Sequence, residues 1–179
     1  MKLDVVKVGN LQCNCYILSK GNDVLVIDPG DNVDRIIGKI CNKNVVGILI
    51  THHHFDHVGG IEELIDKYKC NVYDRYNLLE GLNNINNFTF EVIYTPGHKE
   101  DLITFYFKEN KWMFCGDFIF KDSIGRCDLE GSNINDMVKS INRIKNYDRD
   151  IIIYPGHGDS TILGYEIDNN IYFRDMEIL

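Results

Sequence analysis

Apolar side chains along the chain follow two rhythms, one of period two and one of period 3.6, and each change of rhythm marks the end of an element. Residues 3–8, 13–18 and 23–27 are short β-rich runs separated by Gly9-Asn10 and Gly21-Asn22, the pattern of a meander. DNVDRIIGKI, from residue 31, predicts a helix with aspartate at its start. VVGILI, 45–50, is an unbroken apolar run that fits a strand buried on both faces, and it stops at Thr51. Ile61, Leu64, Ile65 and Tyr68 recur at helical spacing and predict an amphipathic helix opening near Gly59-Gly60. GLNNINNF, 81–88, reads as a polar loop. FEVIYTPGH (90–98), LITFYF (102–107) and KWMFCGD (111–117) read as strands, and Ile134, Met137, Val138, Ile141 and Ile144 mark a helix. DIIIYPGHGD, 150–159, is a last buried strand.

This alternation predicts a layered α/β protein, and no repeat or long linker divides it, so one domain over residues 1–179 is expected. A net charge of −8 without a basic cluster argues against nucleic acid and anionic membrane as partners. The start, MKLDVVKVGN, has charges where a secretory signal needs an apolar core, which predicts a cytoplasmic protein. Six cysteines without a CxxC pair indicate neither a zinc ribbon nor a dithiol site, and buried reduced thiols are expected.

Candidate chemistry is concentrated at strand ends, where layered α/β folds assemble their sites. The segment THHHFDH, 51–57, sits between the 45–50 strand and the helix after it. In an extended segment His52, His54 and Asp56 point one way, and His57 diverges as the chain turns into the helix, so the segment can serve two adjacent metal positions. His53 alternates away from that face and reads as a packing residue behind the ligands. His98 in TPGH, Asp117 in CGD and His157 in PGHGD would each be unremarkable as turn residues. Yet all six histidines lie in THHHFDH, TPGH and PGHGD, which makes a common metal site the better reading.

THHHFDH, TPGH, Gly116-Asp117 and PGH (155–157), in this order, closely resemble the metallo-β-lactamase fold hydrolases, in particular the glyoxalase II-like branch. NCYIL (14–18), VIDPG (26–30) and SIGRCD (123–128) extend the resemblance over nearly the whole chain. The resemblance implies a four-layer αββα sandwich with a two-metal site at the edge of its sheets. It implies that His52, His54 and His98 hold one divalent ion, that Asp56, His57 and His157 hold a second, and that Asp117 bridges them. Asp28 would be buried beside the site. The ions would be zinc, or iron or manganese, since histidine and aspartate suit all three.

The activity implied is hydrolysis of a small thioester, as by a hydroxyacylglutathione hydrolase, with Asp56 orienting the attacking water. The alternative is a persulfide dioxygenase, an oxidoreductase of the same superfamily that binds one iron through two histidines and an aspartate. The commonest zinc β-lactamases have cysteine at the position of Asp117, which speaks against antibiotic hydrolysis. Phe55, Tyr94, Tyr154 and Tyr165 could line the mouth, although aromatics in such strands are more commonly core.

Two departures from the family pattern stand out. Its TPGH commonly continues with Thr and then Gly followed by Ser or His, whereas Lys99-Glu100-Asp101-Leu102 follows here. The usual C-terminal helical domain that helps hold glutathione also has no counterpart in 179 residues, so small acyl thioesters of different thiols are expected to react with similar efficiency.

Overall fold

The computed structural model describes residues 1–175; the last four residues of the expected 1–179 domain lie outside the described part. The first sheet has strands β1 (Lys2–Val8), β2 (Cys13–Lys20), β3 (Asp23–Ile27), β4 (Asn44–Leu49) and β5 (Val72–Tyr73), hydrogen-bonded in that order. The second contains β6 (Gly81–Ile85), β7 (Phe88–Tyr94), β8 (Ile103–Phe107), β9 (Trp112–Gly116), β12 (Ile152–Pro155) and β13 (Thr161–Ile162), in the order β13-β12-β9-β8-β7-β6. A small hairpin of β10 (Ile119–Phe120) and β11 (Ser123–Ile124) follows β9.

Three apolar layers hold these sheets. Helices α1 (Val33–Ile40) and α3 (Ile61–Tyr68) bury Ile36, Ile40 and Leu64 against Val6, Val24, Val26 and Ile48 on the outer face of the first sheet. Between the sheets lie Leu18, Leu25, Ile27 and Leu49 from one side and Phe90, Phe105, Phe107 and Phe114 from the other. Each such fully buried side chain contributes about 1.5–3 kcal/mol of transfer free energy. Helices α4 (Ile134–Ile144), α5 (Leu163–Asn169) and α6 (Ile171–Arg174) close the far face through Met137, Ile141, Ile144, Leu163 and Phe173. The layers run helix, sheet, sheet, helix, as the resemblance implied.

The expected loop at 81–88 is instead a hairpin. β6 pairs antiparallel with β7 from Gly81↔Val92 to Ile85↔Phe88, and Asn86 turns the chain at φ 49°. The polar pattern disguised it because β6 places Leu82 outward, 75% exposed, while Gly81 and Asn83 face inward. Tyr94 and Tyr154 also leave the mouth for the layer between the sheets, where Tyr154 stacks on Phe114.

At one edge the two sheets are drawn together by backbone. Ile103 N donates to Thr51 O at 2.9 Å, and Asn14 N donates to Gly156 O at 2.7 Å. Asn14 Nδ2 and Tyr16 Oη both donate to Pro155 O. This edge is where β4, β9 and β12 end, so Thr51, Asp117 and His157 converge there. Among the described residues no helix is long and apolar enough to cross a membrane.

Short helix α2 (Phe55–Val58) lies across the turn that follows β3, and the two backbones touch. A Cβ on Gly30 would stand 1.6 Å from the carbonyl oxygen of Asp56, so only glycine fits there. Gly30→Ala is therefore expected to destabilise the chain by about 1–3 kcal/mol. Gly38→Ala, on α1 with no atom within 4 Å of the added carbon, should stabilise it by about 0.5–1 kcal/mol. Urea unfolding of both variants measures this, and an unchanged midpoint for Gly30→Ala would contradict the packing.

Candidate metal centre

The site is built outward from the end of β3. Asp28, 1% exposed and held at φ 51°, accepts from Thr51 N at 2.8 Å and from Thr51 Oγ1 at 2.7 Å, and its Oδ2 lies 3.0 Å from His57 Nδ1. A carboxylate can only accept, so Nδ1 of His57 is the donor to Asp28 and Nε2 is the nitrogen turned to the cluster. The same logic repeats. His98 Nδ1 donates to the carbonyl of Arg126 at 2.8 Å, and His157 Nδ1 to the carbonyl of Leu11 at 3.0 Å. The Thr51 hydroxyl spends its proton on Asp28 and so accepts from His52 Nδ1, 3.1 Å away. Four imidazoles thereby have Nδ1 tied to a structural acceptor and Nε2 turned towards the cluster, the arrangement that orients metal-binding histidines.

The free nitrogens converge. His54 Nδ1 lies 3.1 Å from His52 Nε2 and 3.0 Å from His98 Nε2. One neutral His54 nitrogen cannot satisfy two lone pairs, whereas a shared cation does. These spacings approach the edge of a tetrahedron of nitrogens about 2.0–2.1 Å from a zinc-sized ion, roughly 3.3 Å. On the other side Asp56 Oδ2 lies 3.1 Å from His157 Nε2 and 3.8 Å from His57 Nε2. Asp117 stands between the groups, with Oδ2 3.6 Å from both His98 Nε2 and His157 Nε2 and Oδ1 3.4 Å from His57 Nε2. Oδ1 is buried without a hydrogen-bond partner. A buried carboxylate oxygen without a hydrogen-bond partner, where imidazole nitrogens converge, fits a cationic occupant. All seven residues named from the sequence are thus brought together, and a divalent pair fits their donor set.

Titration follows this geometry. Burial takes His52 well below the ordinary imidazole range, and the neighbouring His57, His54 and His98 add to it. Burial and His98 lower His54 likewise. For His57 burial is overcome by the charge of Asp28, by the Asp117 carboxylate 3.4 Å away and by the bond to Asp28, which hold it well above its usual value. The bond to Asp56 raises His157. Burial opposes ionisation of Asp56 and Asp117, but Asp56's contact with His157 and the His57 ring 3.4 Å from Asp117 outweigh it and keep both carboxyls low.

His53 turns away from the cluster, as its alternation predicts, with its ring between Asp101 and Asp74. Arg126 and Asp128 form an exposed two-pronged ion pair at 2.6 and 2.7 Å. Of the mouth aromatics Phe55 is 76% exposed beside Asp56, and Tyr165 bonds to Asp122. Two contributors were invisible in the sequence. Cys13 places Sγ 3.6–3.8 Å from both nitrogens of His57, and burial pushes its thiol up to about 11. Asp101 is a buried carboxylate that grips the ligand loop. Only proximity in space reveals either.

Comparison with known proteins agrees with this geometry. The family model of the metallo-β-lactamase superfamily matches residues 8–80 and 77–157. The hydroxyacylglutathione hydrolase of Francisella tularensis subsp. novicida is 34% identical over 79% of this chain and 61% of its own length. Among solved structures, BLEG-1 B3 metallo-β-lactamase superposes with a TM-score of 0.93 at 28% identity, covering 97% of this chain and 100% of that one. TTHA1623 in a di-iron-bound form superposes with a TM-score of 0.87 at 29% identity, over 94% of this chain and 99% of that one.

Because the His57 and His157 values are raised, the metal-free chain holds protons on these rings at pH values where free imidazole has lost them. A cation needs the lone pairs those protons occupy. Metal uptake near pH 7 is therefore expected to release at least about one proton per chain, and apparent affinity should rise with pH until His57 is neutral. Calorimetry in buffers of different protonation enthalpy measures the release. Binding without proton release would contradict the assigned charge of these rings.

Proposed function

The chain belongs to the metallo-β-lactamase superfamily, and from that premise we propose that it is a two-metal hydrolase of small acyl thioesters. The observation that carries the reading is the pairing in space of two complete ligand groups around one orphaned carboxylate, Asp117. His52, His54 and His98 would hold the first ion and Asp56, His57 and His157 the second, with the carboxylate of Asp117 available to both. Zinc, iron and manganese all suit this set. A one-iron dioxygenase site would leave Asp56, His57 and His157 without use, which favours hydrolysis over that alternative.

Two cations so placed would polarise the substrate carbonyl and bring the pKa of water from about 15.7 towards 7. The protein does the rest. Asp56, partly exposed and kept ionised by His157, accepts a hydrogen bond from the incoming water and aims its oxygen at the carbonyl carbon. Asp117, 8% exposed, places its negative charge between the two ligand groups. Asp28 keeps the His57 ring from turning. Water adds to the thioester carbonyl, the carbon–sulfur bond breaks, and the products are a carboxylic acid and a thiol.

The acyl thioester is chosen over a β-lactam because a relative at 34% identity is a hydroxyacylglutathione hydrolase, and because SIGRCD accompanies the ligands here. A lactoyl thioester and a chromogenic β-lactam, assayed side by side with metal-loaded protein, separate the two. The thioester is expected to react with a kcat/KM at least about 100-fold higher, a difference of about 2.7 kcal/mol in transition-state binding. Asp56→Asn should cost about 100-fold or more in kcat on the thioester. Faster turnover of the lactam, or full activity in Asp56→Asn, would sink the proposal.

A further inference from the structure

The stretch that departs from the family pattern contains the tightest brace on the ligand loop. Asp101 is 2% exposed, and its Oδ2 accepts from the backbone N–H of His53 at 3.1 Å and from His53 Nδ1 at 2.6 Å. Across the ring, His53 Nε2 lies 3.3 Å from Asp74 Oδ2, and Tyr76 rests against the ring at a centroid distance of 5.6 Å. Two residues beyond Asp101, Ile103 N donates to Thr51 O at 2.9 Å. The 101–103 segment therefore holds the chain on both sides of His52, at the carbonyl before it and at the N–H after it.

The arrangement is costly as packing alone. Asp101 Oδ1 is buried with no partner, so the carboxylate is desolvated while only one oxygen is used. A neutral residue of similar size would fill the space without that penalty. What only an acceptor can do is hold the His53 N–H, which lies in the backbone between His52 and His54. The His53 ring, by contrast, is 35% exposed and lies off the ligand face.

We propose that Asp101 is the positioning residue of the first metal site. Its contact with the His53 N–H, more than the His53 imidazole, sets the angle at which His52 and His54 converge with His98. The inference rests on the reading that these three histidines hold a metal ion. It gives the departure at 99–102 a role: Asp101 braces the loop from which His52 and His54 project.

The test measures cobalt(II) binding by competition with a chromophoric chelator, in a His157→Ala chain that leaves His52, His54 and His98 intact. Adding Asp101→Ala should weaken binding by about 10- to 100-fold and change the visible d–d spectrum of the bound ion. Asp101→Asn, which keeps an oxygen for the N–H, and His53→Ala should each stay within about threefold of the parent. A merely structural role would lower the urea midpoint of the metal-free chain and leave the cobalt spectrum unchanged. Should Asp101→Ala not fold, Asp101→Ser, whose hydroxyl is too short to reach, replaces it with the same expectations. Affinity within about threefold in Asp101→Ala, or an equal loss in His53→Ala, would overturn the proposal. Failure of the His157→Ala parent to bind cobalt would refute the first metal site itself, and the brace with it.

Discussion

One buried carboxylate, Asp28, is the constraint from which the site follows. Its two oxygens take the backbone and hydroxyl of Thr51 and the Nδ1 side of His57, so the ends of β3 and β4 and the start of α2 are tied at one point. The attachment has chemical consequences two bonds away. Thr51, having given its proton to Asp28, must accept from His52, and His52 must then present Nε2 inward. A single anion thus orients two histidine rings. Hydrogen bonds to charged acceptors contribute about 1.5–3 kcal/mol each, enough to hold a ring against its own rotational freedom.

The sandwich supplies what Asp28 cannot. Bringing histidines from different segments to within 3.0–3.1 Å of one another is unfavourable without an occupant, because converging lone pairs repel and burial strips their water. Apolar layers on three levels carry that cost, and the cross-sheet bonds from Ile103 to Thr51 and from Asn14 to Gly156 fix the edge where it falls. Close backbone approach finishes the fit. A Cβ on Gly156 would stand 2.2 Å from Asp117 Oδ1, so this glycine leaves the room in which that oxygen faces the cluster.

Much of this was legible in the sequence because rhythm and chemistry change together. The apolar run 45–50 stops at Thr51 just where histidines begin, and the strands ending near His98, Asp117 and His157 repeat the signal. What was not legible depends on contacts between distant segments. Asp101 reads as a surface aspartate until His53 closes over it, and Cys13 as one more strand thiol until His57 lies against it. The 81–88 hairpin escaped for a different reason: its edge strand turns Leu82 to solvent and asparagine inward, inverting the alternation by which a half-buried strand is recognised.

Two cations sharing this edge, with Asp117 between them, would complete the site. Anomalous diffraction from crystals of metal-loaded protein, recorded on both sides of the metal's absorption edge, tests it most directly. The account requires two peaks, one among His52, His54 and His98 and one among Asp56, His57 and His157, about 3.5–4 Å apart. A single peak at full loading, or two peaks that Asp117 does not bridge, would contradict it.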